Sequence, residues 1–247
     1  MTGSNTAAVA FDQVSKSFGA KQVLRNVSFE VPAGQALCIL GRSGTGKSVT
    51  LKLIISLLKP DSGNIWIEQD EITRLKAHEL SKVRRKMGFL FQDAALFDSL
   101  TLYENLALPL LRLTRKSRQE VDFVVDKVLR QVGLKTDENK MPSELSGGMR
   151  KRAGLARALV LEPKILLADE PSSGLDRITA AEIDELMLEQ KAQHRTTLII
   201  VTHDVHGARR VGDRIAVFDK GNLIAHGTAA EVAASENEVA RNLISEQ

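Results

Sequence analysis

The segment at residues 41–48, GRSGTGKS, constrains this chain more than any other part of it. It has the spacing G-x-x-x-x-G-K-[ST] of a phosphate-binding loop. Its glycines can adopt backbone angles that are closed to other residues, so that consecutive N–H groups turn inward around an anion. Lys47 brings a positive charge to the β- and γ-phosphates, and the Ser48 hydroxyl can ligate Mg²⁺. The pattern predicts a nucleoside triphosphate site.

The flanking residues favour this interpretation over a simple glycine turn. Residues 35–40 (QALCIL) read as a buried strand, and residues 49–58 (VTLKLIISLL) read as an apolar helix. Strand, glycine loop and helix follow one another in the order that the motif requires. The predicted nucleotide contacts are Gly41, Arg42, Ser43, Gly44, Thr45, Gly46, Lys47, Ser48 and Val49.

Composition limits the class of protein. The 247 residues suit one domain, or one domain with an attached lobe, and 43% of them are hydrophobic. With 34 basic and 31 acidic residues the net charge is +3, which is too small to indicate a nucleic-acid partner. The single cysteine, Cys38, excludes an intrachain disulfide. No secretion signal and no apolar run of about 20 residues is evident, so we expect a soluble chain whose membrane role comes through a partner.

The pattern of strands and helices predicts an α/β fold. Residues 8–31 alternate like an antiparallel strand pair, while apolar strands and helices alternate after residue 145, as in a mainly parallel sheet. Residues 93–144 show helical spacing and no strand pattern. We therefore predict a P-loop NTPase with a mainly parallel sheet, an N-terminal antiparallel β-subdomain and an inserted α-helical lobe. The expected division is an α/β core over 1–92 and 145–235, a helical lobe over 93–144 and a tail over 236–247.

Two carboxylates follow the apolar run KILLA. Asp169 and Glu170 should emerge at the carboxyl edge of the sheet, where ligands of open α/β folds bind. Successive side chains at a strand end point in different directions. Asp169 can thus face Mg²⁺ while Glu170 faces the γ-phosphate and orients or deprotonates a water molecule.

Gln92 and His203 follow two further apolar strands, MGFLF and TLIIVT. Both should arrive at the same edge of the sheet as the phosphate-binding loop. Gln92 would act there as a neutral ligand of Mg²⁺ or water, and His203 as a hydrogen-bond partner of the γ-phosphate. Each residue alone is more often a satisfied polar group, and their convergence favours a functional role.

Ser146, Gly147 and Gly148 open a helix and form a second potential anion site. Because the chain's own loop already accounts for the phosphates, this second site is best explained if it closes over nucleotide held by another copy. ATP would then join a dimer. The alternative is an N-capped helix with a flexible start.

Six elements follow one another in this order along nearly the whole chain: GRSGTGKS, Gln92, LSGG, LLADEP, SSGLD at residues 172–176, and His203. Together they resemble the ATP-binding subunit of ABC transporters. That resemblance implies a head-to-tail homodimer with two composite ATP sites and Glu170 as catalytic base. It also implies that Phe18 is the adenine platform, although the sequence alone is equally consistent with a core aromatic. The lobe after Gln92 would receive coupling helices from a separate membrane permease.

Two phrases, FQDAALFDSLTLYENLALPL and LSGGMRKRAGLARAL, resemble the lipid-trafficking branch, the Mla and mammalian-cell-entry type transporters. This resemblance implies that the cargo is phospholipid and that the chain works at the cytoplasmic face of the bacterial inner membrane. It also implies three kinds of partner, namely a permease, a mammalian-cell-entry-domain protein and, in some members, a STAS-domain protein. Met149 replaces the glutamine that commonly follows LSGG, and Arg177 stands where proline usually follows the aspartate. The second departure bears on the dimer-facing loop.

Three alternatives stay open. The chain could be a soluble ABC ATPase acting on nucleic acid or the ribosome, suggested weakly by the basic clusters at residues 84–86 and 150–152. It could be a nucleotide-gated scaffold without hydrolysis, against which Glu170 and His203 argue. It could also serve an ABC importer or exporter with another substrate. We expect a transporter subunit without a nucleic-acid partner.

Overall fold

The computed structural model describes residues 7–245, which form two β-sheets and the helices around them. The strands are, in chain order, β1 (Ala7–Phe18), β2 (Lys21–Pro32), β3 (Ala36–Gly41), β4 (Ser62–Ile67), β5 (Asp70–Glu71), β6 (Met87–Leu90), β7 (Ile165–Asp169), β8 (Thr197–Val201), β9 (Arg214–Asp219) and β10 (Asn222–Gly227). The helices are α1 (Lys47–Ile54), α2 (Ala77–Arg84), α3 (Leu102–Leu113), α4 (Arg118–Gln131), α5 (Gly147–Leu159), α6 (Arg177–His194), α7 (Val205–Val211), α8 (Ala229–Ala233) and α9 (Glu238–Ser245). None of the helices in this described range combines the length and the hydropathy that a membrane-spanning segment needs.

The larger sheet carries the strands that lead to the predicted site. Its order is β10-β9-β3-β8-β7-β6, and all neighbours are parallel except β9 and β10. Strands β3, β7 and β8 are buried along their whole length, as expected for parallel strands that are covered on both faces. The predicted mainly parallel sheet is confirmed. Its parallel strands bring their carboxyl ends to one edge.

The smaller sheet is antiparallel and has the order β2-β1-β4-β5. The predicted pairing of β1 with β2 is confirmed, and β4 joins the other edge of β1. Phe11 and Phe29, which face each other across the β1–β2 pair, stack with their ring centroids 4.6 Å apart. Both rings belong to the same apolar cluster as Leu51 of α1, so this sheet packs close to the helix after the glycine loop.

Residues 93–144 contain α3, α4 and two short 3₁₀ turns, and no strand. Thr101 and Ser117 cap the two helices through capping boxes with Glu104 and Glu120. The buried faces of α3 and α4 form an apolar cluster shared with α5, which includes Leu106, Val125, Leu129, Ala153 and Ala156. The helical content agrees with the sequence pattern. The exact domain boundaries stay a prediction.

The helix predicted over 49–58 ends earlier, at Ile54. The Arg84 side chain donates from Nε to the Ile55 carbonyl, 2.9 Å away, and from Nη2 to the Ser56 carbonyl, 2.8 Å away. Ser56 adopts a left-handed conformation with φ 56°, which turns the chain out of the helix. A cation from another helix thus satisfies carbonyls that helix ends leave without partners. The apolar run continues past the end, and Leu57 is 55% exposed.

We expect Asn105→Leu to lower the free energy of unfolding by about 2 kcal/mol, because buried backbone groups would lose their partners. Asn105 is fully buried, its amide donates to the carbonyls of Phe97, Leu100 and Thr101, and its Oδ1 accepts from the Phe97 N–H. Urea denaturation measures the loss, and hydrogen exchange should show faster exchange of the Phe97 amide. Asn242→Leu, at an exposed position of α9, is the matched control. Equal stability of the two variants would contradict this account.

Candidate functional site

The predicted phosphate-binding loop connects β3 to α1, and two of its glycines are required by packing. Gly41 has φ 151°, and a Cβ there would lie 2.4 Å from the Phe218 carbonyl oxygen on β9. Gly46 has φ 104°, and a Cβ there would lie 2.6 Å from Leu24 on β2. Larger residues would push the loop away from both sheets. The loop is therefore held close to the ends of β9 and β2.

Lys47 is the first residue of α1, and its side chain points back into the loop. Its Nζ donates to the carbonyl oxygens of Gly41, at 2.8 Å, and Arg42, at 3.1 Å. The residue is buried, and burial lowers the pKa of Lys47, while the nearby charges of Glu170 and Asp169 act in the opposite direction. The structure places a cation inside the loop, next to two carboxylates.

Ser48 and Asp169 join the start of α1 to the end of β7. The Ser48 Oγ donates to the Asp169 Oδ1 at 2.9 Å, and Asp169 is 8% exposed. A hydroxyl and a carboxylate are oxygen ligands of the kind that Mg²⁺ takes in proteins. Gln92 follows β6 on the neighbouring strand and is exposed. The residue types and the Ser48–Asp169 contact fit a magnesium ion.

Glu170 has a left-handed backbone, with φ 49°. For a residue other than glycine this conformation costs about 1–3 kcal/mol and persists only where neighbouring contacts hold it. The Glu170 N–H donates to the Val201 carbonyl at 2.8 Å, and its carbonyl accepts from the Ser173 N–H, the Ser173 hydroxyl and the Lys151 ammonium. The two successive carboxylates point in different directions, as neighbouring side chains at a strand end do. Asp169 faces Ser48, and Glu170 faces His203.

His203 contacts Glu170 directly. Its Nδ1 lies 2.7 Å from the Glu170 Oε2, and its backbone N–H donates to the same oxygen at 3.4 Å. The imidazole is 72% exposed, while the Glu170 carboxylate side chain is 14% exposed. The sequence places both residues at this edge of the sheet but carries no signal for their mutual contact. The pairing of Asp169 with Val201, in the parallel register of β7 and β8, brings the two residues together.

Phe18 ends β1 and is 48% exposed, with the Lys16 Nζ 5.6 Å from the centre of its ring. Of the two interpretations that the sequence left open, a core position is excluded. The exposed face leaves the ring available for stacking.

Ser146 caps α5, since its Oγ accepts from the Met149 N–H at 3.2 Å. Ser146 and Gly147 are exposed, and a Cβ on Gly147 would meet only Leu175, at 4.0 Å. A Cβ on Gly148 would lie 2.6 Å from Thr179. In the described part of the chain, no hydrogen bond joins Ser146, Gly147 or Gly148 to the loop at residues 41–48.

Lys151 is the residue that sequence reasoning missed. It is 7% exposed, and its Nζ donates to the carbonyls of Gln92, at 2.5 Å, and Glu170, at 3.0 Å, and to the Ser173 hydroxyl, at 3.3 Å. Burial lowers its pKa, and the charges of Asp93, Glu170 and Asp169 oppose that shift. The available signal was its helical spacing with Gly154, Leu155 and Ala158, because a lysine on an otherwise apolar face needs buried partners.

Comparison with known proteins shows the family of this chain. Residues 24–173 match the family model described as ABC transporter. The chain is 44% identical over 237 residues to a probable ribonucleotide transport ATP-binding protein, mkl, of Mycobacterium leprae, in a match that covers 96% of this chain and 68% of that protein. The chain spans about two thirds of the length of such mycobacterial relatives.

Two solved structures share the fold over most of the chain. The ATP-binding cassette MJ0796, described as a dimer in a post-hydrolysis state bound to ADP and Pi, is 35% identical with a TM-score of 0.83, covering 89% of this chain and 98% of that one. CbiO1 from Clostridium perfringens, described as part of the ABC transporter complex cbiONQ, is 29% identical with a TM-score of 0.85, covering 96% and 94%. The chain therefore belongs to the ABC transporter family, whose ATP-binding cassettes hydrolyse ATP to power transport.

Proposed function

We propose that this chain dimerises on ATP, hydrolyses it at two composite sites, and thereby drives a separate membrane permease. The observation that carries the proposal is the contact of Glu170 with His203, which joins the end of β7 to the end of β8 directly after the Ser48–Asp169 pair. The working position would be the cytoplasmic face of the bacterial inner membrane, on the permease.

The loop at residues 41–48, together with Val49, would hold the triphosphate. The N–H groups at the start of α1 and the positive end of that helix attract phosphate oxygens. Lys47 now donates to the carbonyls of Gly41 and Arg42, and it would exchange these acceptors for phosphate oxygens. Phe18, with its exposed ring at the end of β1, would stack on the adenine.

Ser48, Asp169 and Gln92 would hold Mg²⁺. When bound, the ion supplies positive charge that offsets the charge of the phosphate oxygens. Glu170 would orient the attacking water and take its proton as general base. Its carboxylate is held at Oε2 by the His203 ring, so the base is oriented before water arrives.

The tautomer of His203 limits what its ring can do. A neutral imidazole has one N–H donor, and a protonated imidazole has two. If Nδ1 donates to Glu170 while Nε2 donates to the γ-phosphate, the ring must carry a proton on both nitrogens. His203 would therefore bring a positive charge to the phosphate whenever it makes both contacts.

Ser146, Gly147 and Gly148 would complete the site in a second copy. Ser146 and Gly147 are exposed at the start of a 13-residue helix, where N–H groups and the helix dipole favour an anion. The dimeric state of the related MJ0796 cassette supports this arrangement.

For the cargo we propose a phospholipid or related lipid, with a permease, a mammalian-cell-entry-domain protein and, in some systems, a STAS-domain protein as partners. The residues that support this branch run from Phe91 to Leu110 and from Leu145 to Leu159. The name of the mycobacterial relative points instead to ribonucleotides. Partner identification separates these cargoes.

Glu170→Gln should reduce ATP turnover by about 10²-fold or more, because it removes the general base, while an ATP-bound dimer accumulates. Phosphate release measures turnover, and size-exclusion chromatography with ATP measures the dimer. Glu185→Gln, at an exposed position of α6, is the matched control and should keep wild-type turnover. Wild-type turnover in the Glu170→Gln chain would rule out Glu170 as the base.

Mixing two inactive variants should restore turnover if the sites are composite. Lys47→Ala disables the loop, and Gly147→Asp puts a negative charge where the partner's nucleotide would lie, with room for the side chain. A head-to-tail heterodimer of the two variants contains one site with both halves intact. Phosphate release should therefore rise on mixing, to about a quarter of wild-type turnover if the chains exchange freely and each site works alone. No rise, with heterodimers demonstrated by tagged capture, would contradict sites shared between copies.

Tagged chain extracted from native membranes in mild detergent should co-purify with a permease and a mammalian-cell-entry-domain protein, and the complex should carry bound phospholipid. Mass spectrometry identifies proteins and lipids in the same sample. A permease that arrives with a ribonucleotide-binding protein, or without a mammalian-cell-entry protein, would overturn the lipid proposal and leave the ATPase proposal intact.

A further inference from the structure

The Lys151 ammonium lies where three segments of the proposed ATPase site meet. It reaches from α5 to the Gln92 carbonyl after β6, to the Glu170 carbonyl after β7, and to the Ser173 hydroxyl in the turn that follows. An ammonium has three donors, and here all three have acceptors. This use of every donor offsets the cost of burying the charge.

The Lys151 ammonium binds the carbonyl of Glu170, a residue whose left-handed backbone is strained. The Glu170 carbonyl accepts from the N–H and the hydroxyl of Ser173, which belong to the same turn, and from Lys151, which belongs to another element. The left-handed conformation of Glu170 directs its carboxylate to His203, and the carbonyl contacts hold that conformation. Among the contacts described for the carbonyl, Lys151 alone ties it to α5.

Helix α5 contacts the segment that begins at Gln92 at two points. Lys151 binds the Gln92 carbonyl, and Arg157, further along α5, donates to the Ala95 carbonyl and lies 4.8 Å over the Phe97 ring. Ala94 and Ala95 between them are both left-handed, with φ 60° and 51°. A displacement of α5 would therefore be passed on to the segment after Gln92.

We propose that Lys151 is a positioning residue for ATP hydrolysis. By binding the backbone carbonyls of Glu170 and Gln92, it couples the position of α5 to the positions of the Glu170 carboxylate and the Gln92 side chain. The inference rests on the proposed function, in which Glu170 is the base and the start of α5 meets the partner's nucleotide. Lys151 touches no reacting atom. It sets the geometry of residues that do, and small misplacements of such groups reduce the rate of the chemical step.

Lys151→Met removes the donors and keeps an unbranched side chain. We expect kcat for ATP to fall at least about tenfold while KM stays within about threefold, because the phosphate-binding loop is untouched. Lys151→Arg keeps a cation with N–H donors and should restore kcat to within about threefold of wild type. Lys127→Met is the matched control and should keep wild-type kcat, since Lys127 pairs at 3.2 Å with Glu162 at a solvent-exposed position. If Lys151→Met does not fold, Lys151→Leu, which also lacks donors, takes its place with the same expected split between kcat and KM.

A double variant separates positioning of Glu170 from a general loss of structure. In a chain that already carries Glu170→Gln, Lys151→Met should lower the residual turnover by a smaller factor than in the wild-type chain, because its effect through Glu170 is already lost and only its effect through Gln92 is left. The inference is overturned if Lys151→Met keeps kcat within about twofold of wild type, if Lys151→Arg is as slow as Lys151→Met, or if the full loss recurs in the Glu170→Gln background. Wild-type turnover of the single Glu170→Gln chain would instead overturn the proposed role of Glu170, so the two failures are distinguishable.

Discussion

The parallel pairing of β7 with β8 is the constraint on which the rest of the site depends. Asp169 lies opposite Val201, and the Glu170 N–H continues the ladder by donating to the Val201 carbonyl. Strand β8 also pairs with β3, where Ile39 lies opposite Val201, so the strand that leads into the glycine loop shares this register. A shift of one residue in either pairing would turn every side chain to the opposite face. Because the three strands are fully buried, such a shift is strongly disfavoured.

Charge is balanced at this edge by two lysines that enter from opposite sides. Lys47 comes from α1 and Lys151 from α5, and both are buried. In each case burial lowers the pKa of the lysine and the carboxylates of Asp169 and Glu170 raise it. If one lysine is removed, the other lysine alone must balance the negative charge of the two carboxylates. A buried charge without a partner raises the free energy of the folded chain. Substitutions at either lysine therefore act on both carboxylates.

The sequence predicted the strands and helices whose signals lie within a few neighbouring residues. Apolar runs such as KILLAD and TTLIIVT located β7 and β8, and Thr101 marked the start of α3. Contacts between distant segments could not be predicted in this way. Helix α1 ends at Ile54 because Arg84, about 30 positions later, supplies donors to the following carbonyls. The contact between Glu170 and His203 depends on the order of strands, and motif spacing carries no such information.

The polar contacts of the site are of two physical kinds. Ser48 with Asp169, and His203 with Glu170, are contacts between side chains, so each depends on the identity of both residues. Lys151 binds the carbonyls of two other residues, which every amino acid carries. Phosphate oxygens can compete for the Ser48 hydroxyl and the His203 imidazole, and a cation can compete for the carboxylates. Nucleotide would therefore change the contacts between side chains, and Lys47 would exchange its carbonyl acceptors for phosphate oxygens. Lys151, which is 7% exposed, would keep its carbonyl contacts and hold the chain segments together during that change.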